Sequence, residues 1–215
     1  MTIQSPPPVQ DGPQGRPRGR PRAFDRDEAL SRAAETFWKL GYEGASIVDL
    51  TAAMGITPQS LYAAFSSKAG LYREALIRYL DTQGGFAAKA LAEEPNAIAA
   101  LGRLLREAAR EYCRPGQPRG CMLLTGLLAC GAENDAIAAH AAELRAGVLG
   151  NLRARLERGV REGDLRPGTD VAALARFVQA VLQGMSLQAR DGAAEADLLT
   201  IAATAEAELA RHAAG

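Results

Sequence analysis

Residues 46–72 constrain the fold of this chain more than any other segment. Ser46 followed three residues later by Asp49 has the spacing of a capping box, which predicts the start of a short helix. Gly55 then supplies a tight turn, because glycine adopts backbone angles that other residues avoid. Pro58 starts a second helix, since the threonine before it can cap that helix and proline at the first helical position loses no hydrogen bond. A capped helix, a turn and a second capped helix in this order predict a helix-turn-helix.

A helix that precedes this pair completes a three-helix unit. Asp25 and Glu28 have the spacing of a helix start. Apolar residues then recur at helical spacing up to Gly41, namely Leu30, Ala33, Ala34, Phe37 and Leu40. We therefore predict a helix-turn-helix domain over residues 24–70, preceded by a basic arm over residues 1–23.

The remainder of the chain, residues 71–215, is predicted to be a larger helical domain. Its first helix, the fourth of the chain, is expected to begin after Ser66 or Ser67 and run to about Ala92, and the fifth is expected to begin at Pro95. Later helices are expected over about 121–131, 135–162, 170–190 and 195–212. Because aromatic residues make up only 5% of the chain and alanine is abundant, close-packed helices are favoured over sheets. The fold class is predicted as all-α.

The second helix of the pair carries the polar side chains that a DNA-reading surface needs. Its predicted outward residues are Thr57, Gln59, Ser60 and Tyr62, whose groups can hydrogen-bond to base edges and phosphates. Leu61 and Phe65 are expected to face inward. No acidic residue lies between Asp49 and Glu74, so the DNA backbone would meet no repulsion there. Lys68 adds a positive charge beside the free N–H groups at the start of the fourth helix.

Three ordered runs in this region, GYEGAS, DLTAAMGIT and SLYAAFSSKAGLY, resemble the TetR family of repressors, most strongly over residues 24–80. The resemblance implies a homodimeric transcriptional repressor whose recognition helix includes Thr57, Pro58, Gln59, Ser60 and Tyr62, with Ser46 and Lys68 at phosphates. It also implies a palindromic operator and release of the operator by a small-molecule effector.

The arm contains the run RPRGRPR at residues 16–22, which resembles the core of an AT-hook. Prolines keep such an arm extended, so Arg18, Arg20 and Arg22 are candidates to enter the minor groove of DNA. The alternative is compositional, because the chain uses arginine far more than lysine and arginine-rich tails then arise without a function. An arm that binds AT-rich DNA broadly would make the protein an architectural DNA-binding protein, which is the second hypothesis for its function.

The larger domain contains more apolar helical surface than a DNA reader needs, which indicates a ligand pocket between helices. The candidate lining residues are Leu104, Leu105, Cys121, Leu123, Leu127, Phe177, Val181 and Met185. Gln183 and Thr125 are candidate polar anchors. Ordinary core packing is the alternative for every one of these residues.

Cys121 follows a Pro/Gly loop and precedes a predicted helix. The helix dipole and the nearby Arg119 would lower the pKa of its thiol and make it a sensor of electrophiles or oxidants. The alternatives are a small buried hydrophobic residue, or a metal site shared with Cys113, Cys130 and His140.

The two C-terminal helices, predicted within residues 170–212, are the expected dimer interface, because in the TetR family this pair forms a four-helix bundle with the partner. Their apolar residues are Leu174, Phe177, Val181, Leu182, Leu198, Leu199, Ile201 and Leu209. A two-fold dimer places two recognition helices in successive major grooves. Packing within one chain is the alternative.

Other function classes find little support in the sequence. His140 and His212 are the only histidines, and no catalytic triad order or phosphate-binding glycine loop is evident, so neither an enzyme nor a cofactor is predicted. The formal net charge is +0, so any DNA affinity depends on where the basic residues lie. Three cysteines without zinc-type spacing and an N-terminus without a signal peptide's apolar core indicate the cytoplasm, and no apolar stretch is long enough for a membrane helix.

Overall fold

The computed structural model describes residues 24–127 and 130–214, and within them the chain forms ten α-helices and no β-strand. In chain order these are α1 (Arg26–Gly44), α2 (Ile47–Met54), α3 (Pro58–Phe65), α4 (Lys68–Thr82), α5 (Gly85–Glu93), α6 (Ala97–Tyr112), α7 (Met122–Thr125), α8 (Asp135–Glu162), α9 (Val171–Arg190) and α10 (Glu195–Ala210). The all-α prediction is confirmed, and the predicted bounds of α2, α3, α8, α9 and α10 are confirmed to within one or two residues.

Two predicted helices are shorter in the structure. The helix expected to run to Ala92 is broken at Gln83 and Gly84, whose N–H groups both donate to the Tyr79 carbonyl, so that α4 ends and α5 begins. The helix expected over 121–131 is a single turn, α7. It stops at Gly126, because the carbonyl of that glycine accepts a hydrogen bond from α1 instead of from the next helical turn.

Two helix termini also differ from the prediction. The helix after Pro95 begins two residues later, at Ala97, since the side chain of Asn96 caps it by accepting from the Ala99 N–H at 2.8 Å. The first helix continues past Gly41 to Gly44 after a kink at that glycine.

The helices pack as two connected layers around a continuous core. In the N-terminal part α1 lies along α4 and α2, and α3 contacts α2 and α4. In the rest, α6 packs against α10, α5 and α9, and α8 packs along α9. The predicted domain boundary after residue 70 falls inside α4, which therefore belongs to both layers and joins them.

Aromatic side chains fill the contact between α1 and α4. Phe37 and Tyr42 of α1 lie edge-on to Tyr72 of α4, with ring centroids 4.9 and 5.0 Å apart, respectively. About two turns further along α4, Trp38 lies edge-on to Tyr79 at 5.0 Å. Such pairs have a preferred geometry in addition to the area that they bury, so they set the angle between the two helices.

None of the helices in residues 24–127 and 130–214 combines the length and the apolar composition that crossing a bilayer requires.

Candidate nucleic-acid interface and ligand cavity

A reciprocal capping box holds the N-terminus of α2. The Asp49 N–H donates to Ser46 Oγ at 3.1 Å, and the Ser46 N–H donates to the Asp49 carboxylate at 2.9 Å. The Ser46 hydroxyl also donates to that carboxylate, and these hydrogen bonds lower the pKa of Asp49. Ser46 is exposed, as a phosphate contact requires, but its side chain already has a partner in the cap.

The helix α3 presents its polar side to solvent. Thr57 caps the helix by accepting from the Ser60 N–H at 3.2 Å, and the two hydroxyls lie 3.0 Å apart. Thr57, Pro58, Gln59 and Tyr62 are exposed, the last to 49%, and Ser60 is half-buried. Leu61 and Phe65 are buried, which confirms the inward side that the sequence predicts. The predicted DNA-contact residues of α3 therefore lie together on one outward surface.

A strained turn joins α3 to α4. Ser66 has a φ of 65° and a ψ of −38°, and the Ser67 N–H donates to the Phe65 carbonyl across it at 2.7 Å. This arrangement is a γ-turn with a positive φ, which is rare for a residue with a side chain. Beyond it, the Phe65 carbonyl oxygen occupies the space that a Cβ at position 70 would need, so only glycine fits there. The turn thus sets the position of α3 relative to α4.

Arg26 of α1 holds the C-terminal end of α3 in place. Its guanidinium donates to the Glu74 carboxylate of α4 at 2.8 Å and lies over the Phe65 ring, 4.5 Å from the centroid. The arginine on α1 thus connects the C-terminal end of α3 with α4. Because the ion pair is half-exposed, it contributes more to the orientation of α3 than to the stability of the fold.

Cations are scarce on this surface. Lys68 is half-buried with its Nζ 4.5 Å from the centroid of the Tyr42 ring, and burial lowers the pKa of its ammonium group. The structure thus places the predicted phosphate ligand on an aromatic face at the junction with α1. Arg18, Arg20 and Arg22 lie outside the described residues.

One exposed residue at this end of the chain was missed by the sequence analysis. Val48 in the first turn of α2 is 74% exposed, beside the Ser46 cap. The sequence signal that could have identified Val48 is that it lies off the inward apolar face of α2.

A cavity of about 760 Å³ lies among α4, α5, α6, α7 and α8 and reaches Leu182 of α9. Most of its wall is apolar, and Leu104, Cys121 and Leu123 are the predicted lining residues that it contains. The other five candidates lie outside that wall. Leu105, Leu127 and Met185 are buried in the core, while Phe177 and Val181 lie on a more exposed side of α9. Gln183 and Thr125, the candidate polar anchors, are not in the wall either.

The expectation of an acidic thiol at Cys121 is wrong. Burial raises the pKa of this thiol, because the thiolate would lose its hydration. The Arg119 guanidinium does not offset this, since it donates to the Ala189 and Ala193 carbonyls and to the sulfur of Cys113. Among the described residues no three His, Cys, Asp or Glu side chains are grouped as a metal site would require.

The wall formed by α7 is connected to the end of α1 by hydrogen bonds. The Trp38 Nε1–H donates to the Gly120 carbonyl at 3.1 Å, and the Tyr42 N–H donates to the Gly126 carbonyl at 3.1 Å. Gly41 makes the second contact possible, because its φ of 75° and ψ of 171° are accessible essentially to glycine alone. Both ends of the single-turn helix α7 are thereby attached to the helix that carries the helix-turn-helix.

The outer faces of α9 and α10 carry small and apolar side chains. On α9 the exposed or half-exposed residues Ala173, Phe177, Ala180, Gly184 and Leu187 recur at alternating spacings of four and three. On α10, Ala196, Thr200, Ala203 and Ala207 do the same. By contrast, Leu174, Leu182, Leu198 and Leu209 are buried within the chain, which corrects the expectation that they face a partner. The spacing of the outer residues is that of a helix-packing seam.

Known proteins resemble the chain over most of its length. The family description "Bacterial regulatory proteins, tetR family" matches residues 29–75, and "Tetracyclin repressor-like, C-terminal domain" matches residues 97–205. The HTH-type transcriptional repressor ComR of Escherichia coli (strain K12) is 36% identical over 195 residues, which cover 89% of this chain and 90% of ComR. The HTH-type transcriptional repressor BdcR of the same strain is 34% identical over 194 residues, with the same coverage of both chains.

A solved structure agrees in fold as well. It contains a cysteine mutant of the TetR family transcriptional regulator CifR complexed with 26bp double-strand operator DNA. This chain is 42% identical to it, with a TM-score of 0.85 and coverage of 88% of this chain and 98% of that chain.

Gly70→Ala tests the turn between α3 and α4. The added methyl group overlaps a backbone oxygen, so we expect the free energy of unfolding to fall by about 1–3 kcal/mol in urea titrations followed by circular dichroism. Gly150→Ala on α8 is the control, because no atom lies within 4 Å of its added methyl group. That helix interior should gain about 0.5–1 kcal/mol. Equal effects of the two substitutions would show that the turn has room for a side chain.

Proposed function

The chain belongs to the TetR family of bacterial transcriptional regulators, and from that premise we propose that it is a repressor that binds operator DNA as a homodimer and releases it when a small molecule occupies the cavity. Members of this family regulate transcription by binding DNA rather than by catalysis, and dimers and small-molecule effectors are typical of them. Its place of action is then the cytoplasm, where the chromosome lies.

The outward surface of α3 is the observation that carries this proposal. Thr57, Gln59 and Tyr62 lie in exposed positions on a helix that is capped at its start and fastened by Arg26 at its end. A protruding helix of this kind fits the major groove, where amides and hydroxyls can read base edges. Because the helix is already held at both ends, binding does not require its backbone to become ordered, which lowers the entropic cost.

The seam on α9 and α10 supports the homodimer. Phe177 and Leu187 are 37% and 48% exposed and lie on one face with the small residues of the seam, so they belong to a contiguous apolar patch and are not isolated exposed side chains. The alanines and the glycine between them allow two helices to approach closely, so a second copy of this chain would cover both helices in a four-helix arrangement. One recognition helix reads only a few base pairs, and the dimer doubles the sequence that is read.

The attachment of α7 to α1 supports control by a ligand. Cys121 and Leu123 belong both to the cavity wall and to the short segment that is bonded to Trp38 and Tyr42. A ligand that displaces this segment moves the end of α1, and with it the Tyr42 ring on which Lys68 rests. If the ligand binds better to the displaced arrangement, its presence lowers the population with correctly spaced recognition helices.

The scarcity of cations on the helix-turn-helix supports a contribution of the arginine-rich arm to DNA affinity. Between residues 46 and 73 the only basic side chains are Lys68, which rests on an aromatic ring, and Arg73. Affinity for DNA comes largely from phosphate neutralisation, so the four arginines of residues 16–22 would supply what the helix-turn-helix lacks. Broad architectural binding to AT-rich DNA remains the second candidate function, and the arm is its basis.

Gln59→Ala tests the reading surface. We expect affinity for the promoter DNA flanking the gene of this protein to fall roughly 10- to 100-fold in fluorescence anisotropy at fixed salt, because a base contact of about 1–3 kcal/mol is lost. Affinity for unrelated DNA and the melting temperature should not change. Gln183→Ala, which removes an exposed amide from α9 outside the cavity wall, is the matched control. A uniform loss on both DNAs would contradict base reading by this side chain.

Phe177→Glu tests the dimer interface. A charge in the centre of the seam cannot be paired there, so we expect sedimentation to show a monomer and operator affinity to fall at least tenfold. Ala139→Glu adds the same charge at an exposed position of α8 and should leave the dimer intact. A dimer that persists in the Phe177 variant would place the interface elsewhere.

Replacing Arg18, Arg20 and Arg22 by glutamine in the full chain tests the arm. We expect weaker binding and a salt dependence of log K that is shallower by about one unit for each arginine that neutralises a phosphate. The same change at Arg110, Arg153 and Arg161, which are exposed on α6 and α8, is the control. Unchanged affinity and an unchanged slope would remove the arm from the mechanism, whereas loss of all binding to both operator and random DNA would favour the architectural function.

A further inference from the structure

The cavity wall contains a buried arginine whose donors are mostly unused. Arg155 of α8 is 4% exposed, and its guanidinium carries five N–H groups. Among the described residues, only Nη2 finds an acceptor, the Glu94 carbonyl at 3.3 Å, while Nε and Nη1 have none. A desolvated donor without a partner is costly, so a ligand that supplies an acceptor here gains affinity.

The nearest anion within the protein does not meet this need. Asp164 Oδ2 lies 3.8 Å from Arg155 Nη1, beyond hydrogen-bond distance, and the same oxygen already accepts from the Ala97 N–H at 3.0 Å. Asp164 therefore offsets the charge of the guanidinium but leaves its N–H groups unsatisfied.

The surroundings of Arg155 define the rest of the ligand. Phe86, Leu91, Leu104 and Val148 are among the apolar side chains of the wall, which extend the cavity away from the guanidinium. The other charged residues of the wall, Glu143 and Arg158, have side chains that are 79% and 46% exposed, and Arg158 is paired with Glu162. Among the wall residues that the structure describes, Arg155 is thus the one buried charge, and most of the other wall side chains are apolar.

We propose that the cavity binds an amphipathic carboxylic acid, with the carboxylate accepting hydrogen bonds from Arg155 and the apolar body along Leu104 and Val148. Its role as the effector rests on the proposed function above. A carboxylate matches the site because it has a single negative charge and two acceptor oxygens, opposite one cation that Asp164 already offsets in part. A volume of about 760 Å³ is in the range of pockets for ligands of this size.

The test compares ligands that share an apolar body and differ in the head group. Decanoate, 1-decanol and decylammonium are titrated into the full-length protein by isothermal calorimetry. We expect decanoate to bind at least tenfold more tightly than decanol, and decylammonium to bind most weakly. 3-Phenylpropanoate, as an aromatic acid, distinguishes a flat body from an extended one. Equal affinities for decanoate and decanol would overturn the proposal.

Arg155→Met separates recognition from structural support. The methionine keeps the length and apolar part of the side chain, so we expect decanol to bind as in the unmodified protein and decanoate to lose its advantage. Arg161→Gln removes an exposed cation from the same helix and should preserve the preference for decanoate. An advantage of decanoate that survives in the Arg155 variant would overturn the assignment.

A second variant covers the case in which Arg155→Met does not fold, because Asp164 would then be left without its partner. Arg155→Met combined with Asp164→Asn removes both charges, and the same loss of preference is expected. Operator release is measured separately by anisotropy. Arg155-dependent binding of decanoate without release of the operator would support the carboxylate site and contradict its role as the effector site. Failure of operator binding without any ligand would count against the proposed function alone.

Discussion

The contact between α1 and the segment around α7 is the interaction on which the rest of the molecule depends. Two hydrogen bonds, from the Trp38 indole and the Tyr42 amide, attach α1 to the two glycine carbonyls that flank a single helical turn. On one side of this contact lies a reading helix, and on the other lies a cavity. Among the described residues, α4, the Arg190 guanidinium on the Trp38 carbonyl, and the Glu43 carboxylate that accepts from Gly131 and Asn134 also connect the two parts. Because of the Trp38 and Tyr42 hydrogen bonds, the position of α1 and the shape of the cavity wall are coupled.

The aromatic residues around this contact explain why it can transmit a displacement. Tyr72 lies edge-on to both Phe37 and Tyr42, and Trp38 lies edge-on to Tyr79, which itself lines the cavity. Close-packed rings do not shift continuously, so in the proposed mechanism a movement of α7 would reach α1 as a repacking between discrete arrangements. The strained turn at Ser66 and the contacts of Arg26 with Phe65 and Glu74 hold α3, α4 and α1 together as one unit.

The chain separates its two binding tasks by charge. The proposed reading surface on α3 is nearly neutral and carries hydroxyls and an amide, whereas four arginines lie in the sequence of residues 16–22. The cavity differs in charge, because one buried cation lies in a mostly apolar wall. A neutral reader discriminates by geometry, whereas a buried cation in a space of low dielectric discriminates strongly by charge.

Local signals in the sequence were sufficient for most of the helices and for the exposed and inward sides of α3. Capping residues, a turn glycine and helical periodicity act within a few residues of one another, so Ser46, Thr57 and the inward pair Leu61 and Phe65 could be assigned without coordinates. The residues that line the cavity could not be assigned from the sequence. Leu104 and Leu105 are adjacent leucines on one helix, yet only the first lines the cavity, because the packing of neighbouring helices decides which apolar side chains meet a void. The pKa of Cys121 and the unsatisfied donors of Arg155 likewise depend on burial by distant segments, which local sequence does not encode and only the tertiary structure decides.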